Sequence, residues 1–403
     1  MLHALLSLVL LSQPSPEAAF ARAVFRDPPA VYQPAYAAEG DVAPPPGARF
    51  VQATRDAQAP LLEGCSPGCT PAAMRNRVLE ACFDGQGNMV LGACVPANAE
   101  VALDMPMFSP ASPLWGHMQP LHAWYTRLFY VTGPGMLEPV DNPLEPAEQQ
   151  VRAGGRMWDG DSLVLVHNSG SETYNGRLAG EAVHSYRLDL AAGTVYRLPA
   201  DGELVLEPGA VTAFLRTDRA LTAQPVPQPL EEVLILDEYL MGRPLRRHTL
   251  HASRVAVSAL EEEAVPLARS GDWADWLDAD FSGEVEYTCK FYIPKVWANG
   301  PLRLEAASIA QAATVLIDDE PVGGMYASPW RLAIGPLEPG AHTLTIRVAN
   351  TLANAAVPVL APDAKGDPDQ EQHLKAAMAA RGGGLTGPVQ IRRLATGEQH
   401  GGK

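Results

Sequence analysis

Carboxylates are the first residues in this chain with the types to do chemistry. Cleaving an acetal by acid/base catalysis takes two of them, one to donate a proton and one to act as base or nucleophile. Glu63, Glu80, Glu100, Asp104, Glu138, Asp141, Glu145 and Glu148 all precede the β-rich half of the chain. None sits in a motif that marks it as catalytic, so the sequence selects no pair. Aromatic residues form a second set: Trp273, Trp276, Tyr287, Trp297, Tyr326 and Trp330. Sugar rings offer C–H faces that stack on such side chains, while Asn and Asp take the hydroxyls. Trp273, Trp276 and Trp330, with Asn350 and Asn354, are therefore the candidates for carbohydrate contact. Core packing accounts equally well for Tyr287, and Asn350 has the alternative role of tying a loop to a sheet.

Three other motifs carry less. Gly160-Asp161-Ser162-Leu163 spells a serine-nucleophile tetrad, but the apolar run follows Ser162 instead of preceding it, and no Asp-x-x-His lies downstream. Asp278, Asp280, Ser282 and Gly283 begin like a calcium loop, yet Cys289 stands where the bidentate Glu belongs. A solvated acidic turn is the default there, with a structural calcium as the alternative; no other cofactor is implied. Of five cysteines, Cys65, Cys69, Cys82 and Cys94 lie close together and Cys289 is alone in a strand. Two disulfides, a zinc site and free thiols are all open, although the spacing lacks the tight pairs of zinc ribbons.

The elements that must position these groups are mostly strands. From Trp273 to Val348, and again over Gly384–Ile391, apolar and polar residues alternate between Gly, Pro and Asp punctuation. That is the pattern of half-buried antiparallel strands in a sandwich or barrel. Residues 161–217 form a second alternating block, with turns at Asn168-Ser169-Gly170 and Ala192-Gly193. Helical spacing occurs over 72–82, with Thr70-Pro71 as cap and first turn. It recurs from His117 through Leu121, Trp124, Tyr125, Leu128 and Phe129 to the stop at Gly133-Pro134. "TAQPVPQP" at 222–229 reads as a stiff linker, and the polar insert 362–383 as holding a short helix.

The order of motifs in the last block resembles the sugar-binding, galactose-binding-like β-sandwich of large glycoside hydrolases of the α-L-rhamnosidase-like and β-galactosidase-like families. Trp273, Ser282-Gly283, Tyr287, Phe291, Pro294, the run Asn350–Asn354 and Gly384-Leu385-Thr386-Gly387-Pro388-Val389 fill the places of that pattern in order. The stretch 107–135, with Arg127-Leu128, Tyr130 and Gly135, is similar to a segment of the catalytic portion of the same enzymes. The block 161–217 resembles their small accessory sandwich. The resemblance implies hydrolysis of glycosidic bonds, but the long barrel stretch that should follow residue 135 is replaced by about twenty-five Pro/Glu-rich residues.

The expected protein is mainly β. Two tandem antiparallel sandwiches, the last a galactose-binding-like jelly roll, follow a mixed, partly irregular α/β region. The expected divisions are a mixed region at 1–150 (a remnant of a catalytic barrel), an accessory sandwich at 158–220, the galactose-binding-like sandwich at 230–396 and a disordered tail at 397–403. The expected function is action on or binding of carbohydrate with the catalytic part incomplete; the alternatives are a non-catalytic carbohydrate-binding module and a purely structural sandwich. A chain of 403 residues is long enough for several cores. A net charge of −16 argues against nucleic acid or an anionic membrane as partner. No stretch reaches the ~20 apolar residues of a membrane span. The start, "MLHALLSLVLL" with Ala19-Phe20-Ala21, has the form of a secretion signal, whereas Glu17 and the lack of Lys or Arg before the run favour an ordinary helix or the cut end of a longer reading frame.

Overall fold

The computed structural model describes residues 25–26, 28, 35–38, 49–52, 70–83, 90–95, 112–132, 144–158, 161–179, 184–199, 202–221, 223–251, 254–362 and 364–395. Strands dominate these residues, and the paired sheets are largely antiparallel. Near the N-terminus, β1 (Ala35–Ala38) pairs in parallel with β2 (Arg49–Gln52) and β3 (Val90–Val95). Helix α1 (Pro71–Phe83) falls between the latter two in sequence and opens as expected, with the Thr70 hydroxyl accepting from the Ala73 amide at 3.1 Å. The second expected helix forms too, ending at Thr132. A 3-10 turn over Pro113–His117 precedes α2 (Gln119–Thr132), because Pro120 lacks the amide that a continuous helix would use there.

The middle unit begins earlier than residue 158. Strand β4 (Leu144–Glu145) joins β7 (Tyr174–Leu178) and β10 (Glu203–Leu206) in one small sheet. Facing it is a six-stranded sheet in the order β12-β9-β8-β11-β6-β5. Its members are β5 (Val151–Trp158), β6 (Asp161–Asn168), β8 (His184–Asp189), β9 (Thr194–Arg197), β11 (Val211–Thr217) and β12 (Gln224–Pro225). Val164, Val166 and Phe214 pack between the two sheets with Tyr174, Leu204 and Leu206. The opposite face of the same strands does not meet water. Leu163, Leu165, Leu188 and Leu215 join Leu121, Tyr125 and Leu128 of α2 in another core. Strand β6 is thus buried on both sides, and the half-buried reading of this block is corrected there.

The Pro-rich 222–229 stretch is not a free linker either. Its first part is β12, and its end enters β13 (Gln228–Ile235) of the last sandwich. That sandwich packs a four-stranded sheet, β13-β23-β18-β21, on a seven-stranded one, β15-β14-β17-β22-β19-β20 with β16 beside β14. The strands are β14 (Met241–His251), β15 (Arg254–Ala259), β16 (Val265–Pro266), β17 (Ser282–Ile293), β18 (Leu302–Ile309), β19 (Ala312–Ile317), β20 (Glu320–Met325), β21 (Arg331–Gly335), β22 (Gly340–Ala349) and β23 (Leu385–Ala395). Val285, Tyr287, Cys289 and Phe291 of β17 point inward against Leu302, Leu304, Val389 and Ile391. The intervening Glu284, Glu286 and Thr288 face outward, as period-two alternation requires. Asp318 and Asp319 turn the β19–β20 hairpin with φ of 51° and 67°, the double positive φ of a type I′ turn. The insert after β22 forms α3 (Ala353–Leu360) and α4 (Pro368–Ala379), which pack on Leu250 of β14.

Cys82 is buried and free, so the pairing of all four clustered cysteines in two disulfides is excluded. Cys65 and Cys69, and the side chain of Cys94, lie outside the described residues. Burial pushes the Cys82 thiol up to about 12 and that of Cys289, also free, up to about 11, which leaves both unreactive. The tail 397–403 lies outside the described residues, as does the N-terminal apolar run.

Candidate functional site

Four of the five carbohydrate candidates gather at one end of the last sandwich. The short helical turn Trp273–Trp276 is capped by Asp272, whose carboxylate accepts from the Ala274 amide at 2.9 Å. Trp273 is fully buried. Its Nε1–H donates to the Tyr287 hydroxyl at 2.8 Å, which in turn donates to the Ser270 carbonyl at 2.7 Å. Phe281 closes edge-on at 5.2 Å, and a Cβ on Gly383 would sit 2.3 Å from the indole. Gly384, with φ of +132°, is pressed against the Gly271 carbonyl, where a Cβ would lie 1.8 Å away. Trp273 therefore has no free face for a ligand in this structure; its work is packing.

The two asparagines are also turned inward. Asn350 accepts from the Gly283 amide at 2.8 Å and donates to the carbonyls of Phe281 at 2.9 Å and Gly382 at 3.0 Å. Asn354 donates to the same Phe281 carbonyl at 2.9 Å and accepts from the Gly382 amide at 3.1 Å. Together they join three backbone segments at one knot, the tying role that was the alternative for Asn350. Ser282, part of the family pattern, adds to the knot by accepting from the Ala355 amide at 3.0 Å.

What stays open to solvent at this end is Trp276, half-buried, in a rim of charged side chains. Asp275 and Asp280 are exposed, Asp278 pairs with Arg247, and Arg381 reaches Asp280 at 2.8 Å. Two carboxylates of the acidic turn are thus paired with arginines, and among the described residues no group of three or more His, Cys, Asp or Glu is placed to hold a metal ion. Trp330 is half-buried too, but it stands in a different loop, just before β21 and close to the middle unit. In that loop Ser328 offers its carbonyl to Arg75 of α1, which also holds the Gly209 carbonyl.

A carboxylate that the sequence gave no reason to single out lies where the N-terminal helices dock on the seven-stranded sheet. Glu284 sits 3.5 Å from His117 Nε2, and His117 Nδ1 meets the Thr314 hydroxyl at 2.8 Å. Burial pushes the Glu284 carboxyl up, but the hydrogen bond and charge of His117, with Arg246 and His248, outweigh it and hold the group below its ordinary range. Glu284 is ionised at neutral pH and already engaged, which suits a docking contact and not a proton donor.

No protein-family model matches the chain, and no curated protein matches it. Among solved structures it is similar to a rhamnosidase from Novosphingobium sp. PP1Y, at 21% identity and a TM-score of 0.42, over 62% of this chain and 24% of that one. It is also similar to a GH2 beta-galacturonidase from Eisenbergiella tayi, at 20% identity and a TM-score of 0.25, over 43% of this chain and 26% of that one. A beta-glucuronidase from an uncultured Clostridium sp. matches at 17% identity and a TM-score of 0.23, over 30% and 23%. All three are glycoside hydrolases, and this chain spans about a quarter of the length of each. The strand pairing and cores described above carry the fold.

Proposed function

We propose that this chain is a carbohydrate-binding portion of an α-L-rhamnosidase-like glycoside hydrolase, with the glycan seated beside Trp276 at the end of the last sandwich. The observation that carries the reading is the construction of that rim. The half-buried Trp276 lies in the short acidic segment whose Asp278 and Asp280 pair with Arg247 and Arg381, and the backbone behind it is fixed by Trp273, Asn350 and Asn354. Aromatic stacking supplies the apolar contact, the charged groups take hydroxyls, and a preformed rim loses little entropy on binding. Trp330 is proposed as a second contact for a longer glycan. Hydrolysis requires two carboxylates flanking the bond, and Glu284 is spoken for by His117, so binding without turnover is the expected result.

Calorimetry with rhamnose- and galactose-containing oligosaccharides tests the reading. Trp276→Ala should weaken binding at least tenfold while keeping a cooperative melt, at a lowered temperature because the indole also packs on the core. Unchanged affinity in that variant would overturn the site, and turnover of an aryl rhamnoside by the purified chain would overturn the non-catalytic reading.

A further inference from the structure

The six-stranded sheet carries two arginines whose placement neither the core nor the carbohydrate rim explains. Register sets Arg187 of β8 opposite Phe214 of β11 and Tyr196 of β9. It sets Arg216 of β11 opposite Ser162 of β6 and Ser185 of β8. The two arginines are therefore diagonal neighbours on one face, with Cβ atoms roughly 7–8 Å apart. It is the face on which Val164 and Phe214 meet the small covering sheet, which turns Leu144, Leu178, Leu204, Leu206 and Tyr174 toward it.

Both guanidiniums are half-buried, and the Nε–H of each is buried with no hydrogen-bond partner. Among the described residues neither is paired with a carboxylate. Asp189 shares the face, but its carboxylate accepts from the Ala191 and Ala192 amides at 3.0 Å and caps their turn. Buried donors left unmade are rare in folded proteins and call for a partner. Two cations on neighbouring strands without a counter-ion among the described residues raise the same question, because like charges repel. Around them stand the hydroxyls of Ser162 and Ser185 and the half-buried ring of Tyr196.

We propose that Arg187 and Arg216 form a binding site for a sugar carboxylate. Planar guanidiniums match the two oxygens of a carboxylate. Ser162 and Ser185 are placed for the sugar hydroxyls, and Tyr196 offers a stacking surface. The chain as a whole carries −16, so the attraction is local and falls as salt screens it. The inference rests on the carbohydrate reading above but uses a different face of the molecule.

Calorimetry on the full chain with sodium galacturonate, galactose and inorganic phosphate decides the matter. Galacturonate should bind at least tenfold more tightly than galactose, and more weakly as salt is raised. Arg187→Ala and Arg216→Ala should each lose that preference. Where an Ala variant fails to show a native melting transition, Arg187→Lys and Arg216→Lys keep the charge and remove the paired donors, and a several-fold loss is expected. Equal affinity for galactose and galacturonate overturns the proposal, as does galacturonate binding that survives all four variants. Phosphate binding without galacturonate binding also overturns it, by marking a simple anion site. In the Trp276→Ala background, which removes the rim contact, galacturonate binding that remains and is lost on adding Arg187→Ala reports this face, so a failure here and a failure at the rim are told apart.

Discussion

The two sandwiches spend their strands differently. In the middle unit β6 runs through with one row of side chains in the inter-sheet core and the other beneath α2. In the last unit β17 gives one row to the core and lays Glu284, Glu286 and Thr288 along an outer face. Strand sequences follow these duties: "LVLV" is a continuous apolar run, whereas "GEVEYTCKF" alternates cleanly. A sheet clamped between two layers is a foundation, while a sheet with one free polar face can carry docking contacts such as Glu284 with His117.

The contrast can be broken or sharpened by substitution. The largest loss is expected at Trp273→Ala, about 3–5 kcal/mol by chemical denaturation, because a fully buried indole and its hydrogen bond go together. Val164→Ala and Leu165→Ala, adjacent in β6 but facing opposite layers, should each cost about 1–4 kcal/mol. If only one of the two is costly, the two-sided burial of β6 is refuted.

Acid offers a further separation. Burial first, then the charges of Arg75 and Arg152, lowers His167 from its usual 6.5 to about 4. Its folded pKa lies below the unfolded one, so its contribution is complete above pH 6.5 and is lost as pH falls toward 4. The loss is on the order of 3 kcal/mol. Melts from pH 7 to 4.5 should show the middle unit weakening, and His167→Gln should flatten the trend. At the knot, Asn350→Ala should cost about 2 kcal/mol by stranding the Gly283 amide and the Gly382 carbonyl. The smallest effect is expected at Glu286→Ala on the outer face of β17, below about 1 kcal/mol, since its partners Arg243 and Arg347 are solvent-exposed.

What the sequence made legible was mostly architecture. Alternation located β17, β22 and β23 because one of their faces is polar. The same signal misread β6, since its second apolar row is covered by a helix that local spacing does not reveal. The residues that carry the family resemblance, Trp273, Ser282, Tyr287, Asn350 and Gly384, prove to be positions held by packing and hydrogen bonds within the frame. They were legible for that reason, and they mark the frame of the site more than its surface. Of the five candidates only Trp276 and Trp330 keep exposed area. The contact of His117 with Thr314 spans 197 residues, and Arg187 and Arg216 sit in separate strands, so neither grouping leaves a motif in the chain.

Strand β23, the last in the chain order, lies between β13 and β18, so the smaller sheet of the last sandwich is completed last, and at its interior. During synthesis β13 emerges about 150 residues before its partner, and until residue 395 has cleared the ribosome both flanking strands present open hydrogen-bonding edges. Assembly of this unit therefore waits for β23, and a nascent chain stalled before Leu385 should be a client for chaperones instead of a folded domain.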